Sequence, residues 1–382
     1  MNRTYNTFVD NGLFVLAYYL NKSIEDITEK DIVDNINMMS EKLEDFFSCE
    51  KYSNLRSMTC QNSYMTQKPK KGTRAEAFAD KLKSYIKGTD CCEVCGEYKA
   101  NPRNDLSRCY FPTKTANTFY NFSNNLQGVN ICPNCITLAM YSLLNCRVGS
   151  DSVILYNSDN DDFMVAYTKN IQHENQSDIV GQAKKDTKNK LSKTYILENL
   201  LYNKKSFKRK SKSYYVDIYS FNNNAQNESI NIVSIDNDNV TLLEKIYDND
   251  LEQEFKSLWL MNDLINNKLS STYLFKIYNF EKEELKCSRE LFDFLNKEVN
   301  RLDNKVIEII KNITTKITFD KKTRNELKLI NNSNDFNDFL VKIAEEYGEK
   351  YNDKLFTVEE YCYLSNRLKF KEIKNLLLIS TI

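Results

Sequence analysis

Histidine, glycine and proline are all scarce in this sequence of 382 residues. The one histidine, His173, lies in the polar run from Gln172 to Ser177. A lone histidine in such a run cannot supply a histidine-rich metal centre, an HD-type nuclease or a Ser-His-Asp triad. The sequence also lacks a glycine-rich phosphate loop and the Gly-Lys-Ser or Gly-Lys-Thr that would end one. We therefore expect that the protein is not an enzyme.

An excess of charge and long apolar runs are missing as well. The 53 basic and 53 acidic residues cancel, so any binding to nucleic acid must come from a local patch. No run reaches the roughly 18 uninterrupted apolar residues that indicate a membrane span. The first ten residues are too polar for a secretory signal. We expect a cytoplasmic protein that has no membrane partner.

The few prolines and glycines are unevenly distributed. All four prolines and six of the eight glycines precede residue 150, which predicts a turn-rich first part and long helices afterwards. We predict an α+β fold in two domains. Residues 1–240 form a mixed body with an antiparallel sheet and a zinc-binding insertion at about residues 88–150, and residues 241–382 form a helical bundle.

Cysteine, by contrast, is well represented, and four of the eleven cysteines form two short pairs. Cys92-Glu-Val-Cys95 and Cys132-Pro-Asn-Cys135 each place two thiolates on one turn, and two such turns complete a tetrahedral site. Gly96 follows the first pair, where a positive φ would let the chain fold back over the sulfurs. We predict a structural Zn²⁺ held by these four cysteines, because four thiolates leave no open position for catalysis.

Other interpretations of the cysteines stay open. The pairs could form disulfides, which need an oxidising compartment, or lie buried as small hydrophobic residues. A thioredoxin-like redox pair fits less well, since such motifs occur singly beside a βαβ unit. Three further thiols lie near the pairs and could replace a ligand: Cys91, Cys109 and Cys146.

Basic residues are concentrated in two segments. From Lys184 to Lys212 the sequence has eleven Lys or Arg against two acidic residues. Aromatic residues stand between these lysines and could stack on bases while the cations neutralise phosphates. A shorter basic loop precedes Glu76. The candidate nucleic-acid contacts are Lys68, Lys70, Lys71, Arg74, Lys204, Lys205, Lys208, Arg209, Lys210 and Lys212. The alternative for both segments is a solvated, lysine-rich connection.

Alternating apolar residues predict two strand pairs. One pair joins residues 152–156 to 163–167, and the other joins 214–220 to 230–235. The turn of the first pair carries three acidic residues, Asp159, Asp161 and Asp162. Such a run is more typical of a solvated hairpin turn than of a carboxylate metal site.

Helix signals occur at both ends of the chain. Asp10 is the predicted N-cap of the first helix, and Thr28 and Thr357 are predicted to open capping boxes. From residue 241 onwards the apolar spacing is helical, with Ser288 as one N-cap. Trp259 is expected in the core of this helical part.

Three features together resemble one known family. They are the two cysteine pairs, the segment Phe8–Gly12 leading into an apolar helix, and the acidic segment Glu25–Asp31. In order and spacing they are similar to the CXXC-CXXC family of large subunits of type I-B CRISPR Cascade complexes. The match is by motif over residues 5–146 and by architecture alone beyond them.

The resemblance implies a non-catalytic subunit of an antiviral defence complex. Such a subunit holds the 5′ end of the crRNA, recognises the PAM on double-stranded target DNA, contacts the other Cascade subunits and helps to recruit a helicase-nuclease. Only the zinc ligands are carried over by position. Two other functions are compatible with the sequence: a nuclease that uses carboxylates and lysine, and a zinc-stabilised scaffold for protein interactions.

Overall fold

A computed structural model describes residues 1–59, 65, 68–97, 99–100, 131–148, 152–183, 215–224, 227–266, 268–269, 273, 276–279, 282 and 284–381. The predicted contacts from Lys204 to Lys212 and the thiol of Cys109 lie outside these residues. The chain is mixed α+β, as the sequence predicts. It divides into two compact units, Met1–Val240 (unit 1) and Thr241–Ile382 (unit 2).

Elements are numbered over the described residues. In unit 1 the helices are α1 Thr7–Leu20, α2 Glu29–Asp34, α3 Ile36–Ser48, α4 Ser53–Thr59, α5 Arg74–Lys83, α6 Pro133–Tyr141 and α7 Asp161–Val180. The strands are β1 Asp90–Cys91, β2 Lys99–Ala100, β3 Arg147–Val148, β4 Val153–Ser158, β5 Val216–Asn224 and β6 Asn227–Ile235. Helix α8, Asn237–Asp248, runs from unit 1 into unit 2.

In its described part, unit 2 is helical apart from one β-hairpin, whose two strands have two residues each. Its helices are α9 Glu252–Ser257, α10 Leu260–Ile265, α11 Arg289–Phe294, α12 Asn304–Lys316, α13 Lys321–Leu329, α14 Ser333–Tyr351, α15 Val358–Leu364 and α16 Phe370–Ser380. The hairpin pairs β7 Tyr278–Asn279 with β8 Glu284–Leu285.

Helix α1 lies at the centre of unit 1 and is buried from Thr7 to Ala17. Its N-cap is Asn6, whose side-chain oxygen accepts hydrogen bonds from the amides of Phe8 and Val9. The prediction of Asp10 as the N-cap is therefore wrong. Asp10 is fully buried inside the first turn because its carboxylate accepts bonds from the segment that precedes the helix. The donors are the amides of Thr4 and Tyr5, at 2.8 and 3.0 Å, the hydroxyl of Thr4, at 2.8 Å, and Nε of Arg3, at 3.1 Å.

The main sheet has four antiparallel strands in the order β3-β4-β5-β6. The pairing of β5 with β6 confirms the predicted strand pair that begins near residue 214. The predicted strand at residues 163–167 is wrong, because these residues lie in α7. A run of five apolar residues fits a buried helix as well as a strand. Asn160 decides the outcome, since its side chain caps α7 by accepting the amide of Phe163 at 3.0 Å.

Three of the predicted helix caps are confirmed. Thr28 with Asp31 and Thr357 with Glu360 form capping boxes, and the hydroxyl of Ser288 caps α11. Each of these motifs needs only residues within one helical turn, so the sequence is sufficient to specify it.

Trp259 departs from its predicted place in the core. Its side chain is 73% exposed, and its backbone has a φ of +59° in the turn between α9 and α10. Lys276 holds this turn by donating from Nζ to the carbonyl oxygen of Trp259 at 3.0 Å, and it also pairs with Asp263. The tryptophan side chain is thus exposed to solvent on a turn that Lys276 stabilises.

Among the described helices, none combines the length and the apolar character that a membrane crossing requires.

Candidate metal centre

Four cysteines converge in unit 1. The Sγ atoms of Cys92, Cys95, Cys132 and Cys135 all lie within 4.8 Å of one another. Three of these residues are buried, whereas Cys95 is partly exposed. Cys95 Sγ lies 3.9 Å from Cys132 Sγ, which brings the two pairs together. The arrangement matches the four-sulfur shell of a tetrahedral metal site.

The first cysteine pair lies in the loop between β1 and β2. Its turn closes through a hydrogen bond of 2.8 Å from the Gly96 amide to the Cys92 carbonyl oxygen. Gly96 has a φ of +70°, so the predicted positive φ is confirmed. An L-residue would be strained there, and glycine lets the chain reverse directly after Cys95.

The second pair is carried by the first turn of α6. Cys132 is the N-cap, and its Sγ accepts the amide of Cys135 at 3.4 Å. Pro133 occupies the first helical position, where its fixed φ favours the helix and its missing N–H costs nothing. The amide of Cys132 donates to Cys92 Sγ at 3.3 Å, so one sulfur of each pair is hydrogen-bonded by the α6 turn. Such N–H···S bonds stabilise thiolates that bind a metal.

Helix α6 is held against α1 by backbone contact. A Cβ atom added to Gly12 would lie 1.7 Å from the carbonyl oxygen of Leu138. No side chain fits at this distance, so glycine at position 12 is what allows α6 to lie where it does. Because Cys132 and Cys135 are in the first turn of α6, Gly12 also helps to fix their place in the centre.

A buried amide network pins the chain just after α6. Asn11 donates from Nδ2 to the carbonyl oxygens of Thr7 and Tyr156, both at 2.9 Å. Asn145, in the 3₁₀ turn that follows α6, donates to Asn11 Oδ1 at 3.0 Å and accepts from Gln172 at 2.9 Å. Sequence reasoning missed these residues. For Asn11 the signal was an amide side chain inside an otherwise apolar helix, which must find partners when it is buried.

Hydrogen bonding within the cluster favours one thiolate over the others. Bonds from the thiols of Cys132, Cys135 and Cys95 lower the pKa of Cys92 well below its usual value. Hydrogen bonds between Cys135 and the thiols of Cys132, Cys92 and Cys95, together with burial, raise the pKa of Cys135. A cation at the centre would reverse the second effect, since it stabilises every thiolate.

The same turn contains one buried hydrogen-bond donor that is unsatisfied among the described residues. Asn134 Nδ2, between Cys132 and Cys135, is buried and has no hydrogen-bond partner among the described residues. A site that gathers thiolate charge offers acceptors for such a donor. The fit to a metal comes from the four sulfurs, which lie within 4.8 Å of one another.

The remaining thiols nearby have other contacts. Cys91 is exposed, and its thiol donates to the carbonyl oxygen of Gly96 at 2.8 Å. Cys146 is buried, and its thiol donates to Ser142 at 3.6 Å. Neither belongs to the group of four sulfurs. Within the described residues that group is the one cluster of three or more His, Cys, Asp or Glu with metal-binding geometry.

The other predicted site residues take different places. Lys68, Lys70 and Lys71 are exposed in the loop before α5, and Arg74 is the half-buried first residue of α5. Asp161 and Asp162 lie in the first turn of α7 and not in a hairpin turn, because the chain continues as a helix after β4. Carboxylates in that position interact favourably with the helix dipole.

No protein-family model matches the chain, and comparison with curated proteins gives no match.

Proposed function

We propose that Cys92, Cys95, Cys132 and Cys135 hold one structural Zn²⁺. Four thiolates in a closed tetrahedron are the ligand set of structural zinc, and their sulfurs already lie within 4.8 Å of one another. A closed set leaves no position for a catalytic water. The metal would join the loop after β1 to the start of α6, so binding energy would become folding energy for unit 1.

The protein that this zinc stabilises is proposed to be the non-catalytic large subunit of a type I-B CRISPR surveillance complex. The contact between Gly12 and Leu138 carries this proposal. Gly12 ends the Phe8–Gly12 motif, and Leu138 lies in the helix that begins at the second cysteine pair. The two parts of the family signature are therefore packed backbone to backbone, which gives a physical reason for their occurrence together.

In that complex the chain would bind the 5′ end of the crRNA and recognise the PAM on duplex target DNA. It would also contact the other subunits and help to recruit the helicase-nuclease. The loop of Lys68, Lys70 and Lys71 supplies cations for phosphate contacts in unit 1. The lysine tract before Tyr215 is proposed to do the same.

Reconstitution tests this function. Co-expression with the other subunits and a crRNA should give a complex that contains this chain and binds target duplex only when a PAM is present. Neutralising Lys204, Lys205, Lys208, Arg209 and Lys210 should flatten the salt dependence of binding by about 0.9 log-log unit for each phosphate that is no longer neutralised. Cleavage of duplex by the purified chain with Mg²⁺, or failure to assemble with crRNA, would contradict the proposal.

A zinc-stabilised scaffold for protein interactions is the second candidate. Trp259 favours it, because a tryptophan that is 73% exposed is typical of an interface anchor. In this case the chain would assemble with protein subunits without any contribution from crRNA. Nuclease treatment of the co-expressed complex separates the two functions, since only an RNA-dependent assembly would release the chain.

A further inference from the structure

The described part of unit 2 carries a basic surface that contrasts with the rest of the unit. Unit 2 as a whole has 23 basic and 25 acidic residues. Two segments, 321–328 and 367–374, together hold eight of the basic residues and two of the acidic ones. The first segment lies in α13, and the second leads into α16 and forms its start. We call them together the α13–α16 basic surface.

The two segments are neighbours in space. Lys374 of α16 donates from Nζ to the carbonyl oxygen of Ile330, the residue that ends α13, at 2.9 Å. Burial lowers the pKa of Lys374, and the charge of Lys371 lowers it further. Cations that repel one another in this way create a positive potential along the pair of helices.

The cations of α13 share one side of the helix. Lys321, Arg324 and Lys328 follow one another at spacings of three and four residues, which places them on one face. Another side is used in packing, since Leu327 is fully buried. The helix therefore has an apolar side that is already covered and a cationic side at the surface.

The two carboxylates of these segments are engaged elsewhere. Glu326 pairs with Lys342 of α14 at 2.7 Å. Glu372 lies close enough to Tyr273 to add to the effect of burial, which raises the pKa of that phenol. A third acid, Asp320 at the N-cap of α13, lies close enough to Lys322 for the charge of that lysine to help lower its pKa, which leaves eight cations against three acids. Four of these cations are exposed and make no side-chain hydrogen bond or ion pair to another described residue: Lys321, Lys322, Arg367 and Lys371.

We propose that the α13–α16 basic surface is a second nucleic-acid-binding site, which takes the phosphate backbone of a duplex. Phosphate contacts need clustered cations, and the two segments bring eight basic residues onto neighbouring helices. A helix that lies on a membrane needs a continuous exposed apolar face as well. The exposed large apolar side chains in or beside the two segments are Leu329 and Leu368 alone among the described residues, and two such residues form no face. The site is independent of the cysteines and of the central lysine tract, and it shares with the proposed function only the class of partner.

The test compares two variants of the full-length chain with equal changes in charge. The first replaces Lys321, Lys322, Arg367 and Lys371 by Gln. The control replaces four lysines elsewhere in unit 2, namely Lys282, Lys297, Lys350 and Lys354, by Gln. Binding of a fluorescein-labelled DNA duplex is measured by anisotropy over a series of salt concentrations. Vesicles of phosphatidylserine and phosphatidylcholine are the second probe.

The surface variant should reduce the slope of log affinity against log salt by about two units or more, and the control should keep the parental slope. Equal slopes for the two variants would overturn the inference, as would a parental chain that binds no duplex. Loss of vesicle binding with retained duplex binding would assign the surface to lipid and overturn it too. If the parental chain assembles with crRNA while the slopes are equal, the inference fails and the proposed function stands.

Discussion

Helices α6 and α12 bury their side chains in opposite ways. In α6 every residue from Asn134 to Tyr141 is buried. In α12 only one stripe is buried, formed by Val306, Ile307, Ile309, Ile310 and Ile313. An amphipathic stripe fixes how a helix faces its core. A helix that is buried all round needs other contacts to fix its position. In α6 these are the close contact between Gly12 and the backbone of Leu138, near the middle of the helix, and the cysteines at its start.

Unit 1 and unit 2 should therefore differ in their sensitivity to substitution. In unit 2, stability should be spread over many apolar contacts of similar size. In unit 1, stability should depend strongly on a few positions at which no other residue type fits. The following three experiments probe this contrast, in order of the largest effect expected in each.

Cys135→Ser should have the largest effect. If the four cysteines hold zinc as proposed, this change removes one ligand and releases the metal, so unit 1 should lose most of its stability. Structural zinc contributes on the order of 10 kcal/mol of apparent binding energy. Hydrogen exchange should become fast in α6 and remain slow in α12. Cys91→Ser is the matched control, since Cys91 is exposed and outside the group of four sulfurs. Equal loss of zinc in both variants would show that the ligands are wrongly assigned.

The same substitution at two glycines should have effects of opposite sign. Gly12→Ala forces a Cβ atom against the Leu138 carbonyl oxygen, and we expect a loss of about 3 kcal/mol or more in the free energy of unfolding. At Gly348, in α14, the nearest atom would be 3.7 Å away, which is ordinary contact. Gly348→Ala should therefore stabilise the chain by about 0.5–1 kcal/mol. Urea unfolding of both variants measures the two values. A harmless Gly12→Ala would show that α6 can move freely against α1.

Trp259→Gly should have the smallest effect, and it should be stabilising. The left-handed backbone conformation at Trp259 costs an L-residue roughly 1–2 kcal/mol of stability. Glycine does not carry this cost. The extra freedom of glycine in the unfolded chain offsets about 0.5–1 kcal/mol of this gain. Little burial is given up, because the side chain is 73% exposed. Thermal unfolding followed by circular dichroism measures the change. A clear loss of stability would place Trp259 in a packing role that its exposure does not suggest.

The parts of the fold that could be predicted from the sequence are those encoded within a few residues. The capping boxes at Thr28 and Thr357 and the β5–β6 pair depend on spacing that is visible in the chain itself. The cysteine cluster was predictable for the same reason, since each pair presents its two sulfurs from one turn.

The rest depends on contacts that the spacing of apolar residues does not show. Residues 163–167 became a helix because Asn160 caps α7, a signal that an apolar run does not contain. Asp10 is buried because Arg3 and the amides before α1 neutralise it, and the sequence does not show how that segment folds back. Trp259 lies in a turn with a positive φ and its side chain is exposed, and no residue pattern indicated either feature.

Four cysteines from two distant turns are proposed to hold one zinc, and metal analysis of the purified full-length chain examines this without any assumption about partners. The metal is then exchanged for Co²⁺ and an absorption spectrum is recorded. We predict about one zinc per chain and a Co²⁺ spectrum typical of a tetrahedral site with four sulfurs, both absent in Cys135→Ser. Zinc content that is unchanged in Cys135→Ser, or a purified chain that neither carries zinc nor binds Co²⁺ tetrahedrally, would contradict the assignment.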